Sequence, residues 1–412
     1  MTISGTLECS TCGHKLRIRY QAGYIFPFPV KIACNQCGKL IKGHIRSSDS
    51  VFDFPNDKVS KDYVETTQVV SISSELPIPL KLSNIPSMTA LTPFIAMTTI
   101  LGHESLMFFQ VHLKMFIDVY DSRFSRFVTI SELFSEKNWQ YFLEESKKHF
   151  RPNLSLDIRN FEDCCLVLTQ INGDFFKHIS SEHYEVNYKQ KLKTNSIEKV
   201  LTKWAELKEL KIKLTTYINL ESEFIKGVKL IETFLDNIKS FLPVVALTYK
   251  NEPKKEWKDE IGITTFEFLD LKEMYIEQFE YLSRISSLYF GLINLGDRNA
   301  FDDFGSIPDC GQLSDYFKKD NGIKKDIIKK LPLLDDYFGD TLNSQIRNGI
   351  GHLKTTYDAK AQLIKYFPYK DLARVNIHKE IYLIDFAIQV YEQALRVRDS
   401  LEILAIFLAR TK

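Results

Sequence analysis

Apolar and polar positions recur along this chain with two different periods. Near the N-terminus, Leu16-Arg17-Ile18-Arg19-Tyr20 alternates apolar and cationic residues, and FPVKIA (28–33) does the same, which predicts short strands. From about residue 100 the period lengthens to that of a helix. In the stretch 196–243, Ile197, Val200, Trp204, Leu207, Leu214, Ile218, Ile225, Val228, Leu235 and Ile238 follow three- and four-residue spacing, predicting one long helix or a helical pair ending at Pro243. Two more helices are legible at about 264–295 and about 378–410. Between them lie a Gly/Asp/Pro-rich connector, DRNAFDDFGSIPDCG (297–311), and a lysine-rich helix, DYFKKDNGIKKDIIKKLPLLDDYF (315–338).

Residues 47–94 break both patterns. Pro77, Pro79, Pro86 and Pro93 crowd into this stretch, and each proline holds its predecessor in extended geometry, so a connector with some strand is expected. The periods therefore predict a mainly α, multidomain chain. Its parts are a small β module at 1–46, the Pro-containing connector at 47–95, a mostly helical middle or sensor region at 96–254, and an all-α region at 255–412. The uncharged run 88–103 is too short and too polar to span a bilayer, which needs roughly 20 apolar residues, and MTISGTLECS does not resemble a secretory signal. A cytoplasmic protein with no membrane partner is expected.

Cysteine spacing gives the β module its chemistry. Cys9 and Cys12 form one CxxC pair and Cys34 and Cys37 another, and a glycine, Gly13 or Gly38, follows each. A two-residue loop brings two sulfurs onto one face of a tight turn, so two such loops make a four-thiolate zinc site, the pattern of a zinc ribbon. One structural zinc per chain is expected. Four thiolates leave no open coordination position, so this metal would not perform catalysis. Cys164, Cys165 and Cys310 have no partner spacing and read as ordinary buried side chains.

Charge adds a possibility. The chain carries a net charge of only +1, yet residues 1–46 hold seven cations, Lys15, Arg17, Arg19, Lys31, Lys39, Lys42 and Arg46, against the single acid Glu8. A basic ribbon would suit phosphate contact, or a solvated face. No Walker A, dinucleotide GxGxxG or HExxH sequence occurs, so ATPase, dehydrogenase and zincin activities lose their sequence support.

The remaining signal is QIRNGIGH (345–352). Asn348-Gly349 is a strong turn dipeptide, but Arg347 stands five residues before His352, and a guanidinium with an imidazole is the pairing that phosphate cleavage uses. On a regular helix, residues five apart diverge by about 140°, so the pair needs a broad cleft or an irregular helix start. The segment is expected to begin a helix.

Arg347-Asn348-Gly349-Ile350-Gly351-His352 resembles the RNxxxH form of the Arg-x(4–6)-His motif of the HEPN superfamily, over a region of about 255–412. The extra glycine at 349 departs from the small helix-formers that suit this motif. The resemblance implies a helical bundle that commonly dimerises, and metal-independent ribonuclease activity leaving a 2′,3′-cyclic phosphate and a 5′-hydroxyl. Carried over by position, Arg347 would bind the scissile phosphate, Asn348 would orient the phosphate or the histidine, and His352 would transfer protons. It also implies a toxin or phage-defence effector acting on RNA such as tRNA or mRNA, as a homodimer or higher homo-oligomer under the control of a trigger or antitoxin, with no catalytic metal. Lys324, Lys325, Lys329 and Lys330, shortly before the motif, are candidate RNA-backbone contacts. The alternative is a noncatalytic nucleic-acid- or protein-binding adaptor that dimerises through its helices.

Overall fold

The computed structural model describes residues 2–21, 23–46, 52–60, 69–80, 92–150, 160–180, 185, 197–252, 254, 256–305, 307–308, 310–351, 355–368 and 377–412. It is mainly α, with a strand region at the N-terminus. In chain order, β1 (Thr2–Glu8), β2 (Lys15–Gln21), β3 (Phe28–Ala33), β4 (Leu40–Ile45), β5 (Phe52–Asp53), β6 (Lys58–Ser60), β7 (Val69–Ile72) and β8 (Ile78–Pro79) precede α1 (Pro93–Leu101). Then come α2 (His103–Ser135), α3 (Trp139–His149), α4 (Phe161–Phe176), the single turn α5 (Glu198–Val200), α6 (Trp204–Thr215), α7 (Leu220–Asp236) and α8 (Ile238–Leu247). The remainder is β9 (Ile261–Gly262), α9 (Phe268–Arg298), α10 (Leu313–Lys318), α11 (Asn321–Ile328), α12 (Pro332–Phe338), α13 (Ser344–Gly351), β10 (Thr355–Asp358), β11 (Leu363–Tyr366), β12 (Lys379–Tyr382) and α14 (Leu383–Arg410).

The chain forms two compact units, each assembled from three segments. The first unit contains 1–114, 236–274 and 346–391. Its N-terminal part holds a sheet in the order β6-β1-β2-β7 and another in the order β3-β4-β5. Alternation works as the sequence implies, because Leu16, Ile18 and Tyr20 of β2 and Val30 and Ile32 of β3 are buried while the cations between them lie half-buried on the opposite faces. The segment after α8 is bound to this module. The backbone N–H of Lys31 donates to the Thr264 carbonyl (2.7 Å), and Lys31 and Lys42 pair with Asp270 and Glu267 around the start of α9.

A third sheet, an antiparallel meander β10-β11-β12, follows α13 in this unit and corrects the expectation that the C-terminal portion is all-α. TTYD, LIKY and KEIY are rich in β-branched and aromatic residues but are only four residues each, too short for periodicity to register. The β10-β11 turn is built by Asp358, whose carboxylate accepts from the backbone N–H groups of Lys360 (2.9 Å) and Ala361 (3.1 Å).

The second unit contains 115–235, 275–345 and 392–412. Aromatic rings fill it: Phe134 lies against Trp139, Phe142, Phe161 and Phe224 at centroid separations of 5.4–5.6 Å. The expected long helix or helical pair at 196–243 is instead divided into α5, α6 and α7, followed by α8, which belongs to the first unit. Asn219 caps α7 by accepting from the Ser222 N–H (2.9 Å). Pro243 does not end the pattern but lies inside α8. An interior proline costs about 3 kcal/mol, and burial of Val244, Val245 and Leu247 just beyond it offsets that cost. The lysine-rich helix is likewise cut in three, where Asp320 caps α11 through the Ile323 N–H (3.0 Å) and Pro332 opens α12. Among the described residues, no single helix is long and apolar enough to cross a membrane.

Candidate functional site

The first unit contains the four-cysteine cluster and Arg347 and Asn348 of the candidate motif. Cys9 to His14 join β1 to β2, and Cys34 to Lys39 join β3 to β4, so two hairpins each present a six-residue knuckle. The knuckles repeat bond for bond. Cys9 N–H donates to the His14 carbonyl (2.9 Å) and Gly13 N–H to the Cys9 carbonyl (2.8 Å); Cys34 N–H donates to the Lys39 carbonyl (2.9 Å) and Gly38 N–H to the Cys34 carbonyl (2.8 Å). Gly13 and Gly38 adopt φ of 70° and 74°, a left-handed conformation that a Cβ disfavours.

Four sulfurs converge as a result, all within 4.8 Å of one another. Cys9 Sγ lies 3.8 Å from Cys37 Sγ, and Cys12 Sγ lies 3.7 Å from Cys34 Sγ. Zinc bound tetrahedrally at about 2.3 Å from each sulfur places sulfurs about 3.8 Å apart. The donor set and its spacing therefore fit one zinc ion. Crowding sets the thiols against one another. Against the push of burial, the backbone amides of Thr11 and Cys12 and the neighbouring thiols draw Cys9 down to about 7. Cys12 is held up at about 12: the His14 amide favours its thiolate, but desolvation and the other three cysteines oppose it more strongly. A divalent cation removes that conflict by stabilising all four thiolates.

The basic residues of the module are largely committed inside the unit. Besides Lys31 and Lys42, Lys39 pairs with Asp57 (3.2 Å) and Arg46 donates through Nε to Asp53 (2.8 Å). Arg19 donates to the Ser71 hydroxyl (3.4 Å).

The second set sits on α13. Ile346, Gly349 and Ile350 are buried, Arg347 and Asn348 are half-buried, and Gly351 is exposed, so QIRNGIG forms an amphipathic helix rather than a turn. Gly349 is explained by packing, since a Cβ there would come within 2.8 Å of Tyr366 Cδ2 on β11. The Arg347 guanidinium extends along the helix, and its terminal nitrogen lies 3.8 Å from where a Cβ on Gly351 would stand. It thus lies over the last turn of α13, which ends one residue before His352. His352 itself lies outside the described residues.

Of the four candidate RNA-binding lysines, all on or just after α11 in the second unit, Lys329 and Lys330 are exposed. Lys324 and Lys325 are half-buried, and burial pushes both ammonium groups below their ordinary range. Lys324 Nζ stands 5.5 Å from the centre of the Tyr316 ring. Cys164, Cys165 and Cys310 are buried as expected, and burial raises all three thiols.

Sequence reasoning missed Gln362. It occupies the end of the β10-β11 turn at φ 50°, uncommon for a residue with a side chain. Its amide is buried and bonds both backbone polar groups of one residue: Oε1 accepts from the Ile263 N–H (3.0 Å) and Nε2 donates to the Ile263 carbonyl (2.7 Å). No local pattern announces such a residue, because its partner lies 99 positions away.

No family model, curated protein or solved structure matches the chain.

Proposed function

We propose that this protein is a metal-independent endoribonuclease of the HEPN type, acting as a toxin or antiviral effector. The observation that carries the reading is the placement of Arg347. The motif's arginine stands on the outer, polar face of α13 with its guanidinium directed toward the helix end that His352 follows. A guanidinium there would hold two phosphate oxygens by its planar fork and balance charge on the pentavalent phosphorus. The ribose 2′-oxygen attacks phosphorus while a base takes its proton. The P–O5′ bond breaks as an acid protonates the leaving oxygen, giving a 2′,3′-cyclic phosphate and a 5′-hydroxyl. A homodimer that pairs two motifs supplies one His352 for each proton transfer, and Asn348 orients phosphate or imidazole. RNA, with tRNA and mRNA as the classes to test, is the substrate, and an activating signal or antitoxin controls the site.

The zinc is structural in this reading. Ribbon cations paired with Asp53, Asp57, Glu267 and Asp270 anchor the module instead of offering a free basic surface. An adaptor is the second reading, favoured by the exposed apolar residues Met107, Phe108 and Val111 on α2.

The test is cleavage of total tRNA and mRNA by purified, zinc-loaded protein with no other divalent cation added, comparing wild type with Arg347→Ala and His352→Ala. Cyclic-phosphate ends produced by wild type alone support the enzyme. Cleavage that survives both substitutions removes the motif from the chemistry.

A further inference from the structure

The zinc centre and the α13 motif are joined by a continuous set of contacts within the first unit. The second knuckle is carried by β3 and β4. From β3, Lys31 bonds to Thr264 through its backbone and to Asp270 through its ammonium group; from β4, Lys42 pairs with Glu267. One residue before Thr264 is Ile263, whose backbone N–H and carbonyl both bond to the Gln362 amide. The Gln362 carbonyl also accepts from the Leu383 N–H (2.8 Å) at the start of α14, so the turn is held on two sides. Four residues beyond Gln362, Tyr366 lies against Gly349 in α13, two positions from Arg347. A direct tie completes the set: Lys360, in the same turn, donates to the Asn35 carbonyl inside the second knuckle (3.2 Å).

We propose that zinc in the four-cysteine site fixes the placement of α13, and that Gln362 is the positioning residue that transmits the constraint. Its positive φ supports the assignment. A residue kept in the left-handed region against its steric cost is over-determined by what its side chain does, and here the side chain satisfies both backbone polar groups of the buried Ile263. Losing zinc frees the knuckles, loosens β3 and β4, and removes the platform to which 263–270 is bound. The β10-β11 hairpin then no longer presses Tyr366 onto Gly349. The consequence for RNA cleavage rests on the reading above; the mechanical coupling does not.

Hydrogen exchange on the full chain tests it, with the protein zinc-loaded or stripped by a high-affinity chelator. Stripping is expected to speed exchange in β3 and β4 and also in α13, by about tenfold or more for the loss of a buried hydrogen-bonded clamp. In Gln362→Ala, α13 is expected to exchange quickly with or without metal, while cobalt substituted for zinc keeps its thiolate absorption. Gln362→Glu keeps the acceptor for the Ile263 N–H and loses the donor, so it is expected to fall between the two. An α13 indifferent to metal while the ribbon loosens overturns the proposal. So does uniform loosening in which α7, in the other unit, exchanges faster by the same factor. Metal-sensitive exchange in α13 without RNA cleavage by the loaded protein leaves the coupling standing and removes only the enzymatic reading.

Discussion

The ring of Tyr366 rests directly on the backbone of Gly349, so close that a Cβ at position 349 would meet Tyr366 Cδ2 at 2.8 Å and Cβ at 2.9 Å. The glycine that looks unsuited to a helix is therefore the surface on which the hairpin packs.

Gly349→Ala sets two effects of opposite sign against each other. Alanine gains about 1 kcal/mol of helix propensity, whereas overpacking costs about 1–3 kcal/mol. Net destabilisation of about 1 kcal/mol is expected in urea unfolding. In a Tyr366→Ala background the obstacle is gone, and the same substitution should become stabilising. If its sign is the same in both backgrounds, the packing of Tyr366 on Gly349 does not explain the glycine.

The cysteine knuckles were legible because their information is local: two CxxC pairs and two following glycines specify sulfur convergence without reference to the rest of the chain. That 345–351 is helical was legible as well, but the helix ends at Gly351 and is followed by a strand, where the motif was expected to open a helix. What escaped was long-range. Lys31 and Lys42 looked like free cations, but their carboxylates lie 239 and 225 positions away. The hairpin after α13 escaped because four-residue strands have no measurable period, and Gln362 because its partner is a backbone peptide. Pro243 misled because burial of its neighbours outweighs its local preference.

The two knuckle glycines give a prediction in which conformation alone decides. A Cβ at Gly13 or Gly38 would touch nothing within 4 Å, so only the left-handed φ opposes it. Gly13→Ala and Gly38→Ala are each expected to destabilise the loaded protein by about 1–2 kcal/mol, and Gly13→Asn by less. All three should still bind one zinc, measured by mass spectrometry under native conditions. Cys12→Ser, in contrast, should release the metal.

Glu75 supplies a pH dependence. Its carboxylate is buried and accepts from the backbone N–H groups of Tyr24 and Ile25 (3.2 Å for the latter), and burial pushes its pKa above the ordinary 4.5 despite those bonds. A carboxyl raised on folding contributes stability that is full below its unfolded pKa and is lost as pH rises through the folded value. Glu75→Gln keeps an acceptor for both amides and cannot ionise. The stability of the variant relative to wild type is therefore expected to rise with pH from about 4.5 upward, read by urea titrations at a series of pH values. A difference that stays constant or falls over that range would mean that Glu75 does not become harder to ionise on folding.

The four lysines near α11 separate by burial into two pairs with different expected phenotypes. Lys329 and Lys330 are exposed, and each phosphate a cation neutralises on single-stranded RNA contributes about 0.7 to the slope of log affinity against log salt. If both touch the backbone, Lys329→Ala/Lys330→Ala lowers that slope by about 1.4 and leaves unfolding unchanged. Lys324 lies over the Tyr316 ring, and Lys325 faces Asp340, Asp326 and Asp335 electrostatically. Removing Lys324 is expected to cost about 1 kcal/mol of stability through the lost ring contact and stem packing while hardly moving the salt slope. Fluorescence anisotropy with a labelled RNA oligonucleotide from 50 to about 200 mM salt, the range over which such contacts change affinity most visibly, reads the first pair, and urea unfolding reads the second. A slope unaltered by loss of Lys329 and Lys330 would make these cations part of the solvated surface after a short helix, and the RNA path would have to be sought around Arg347 instead.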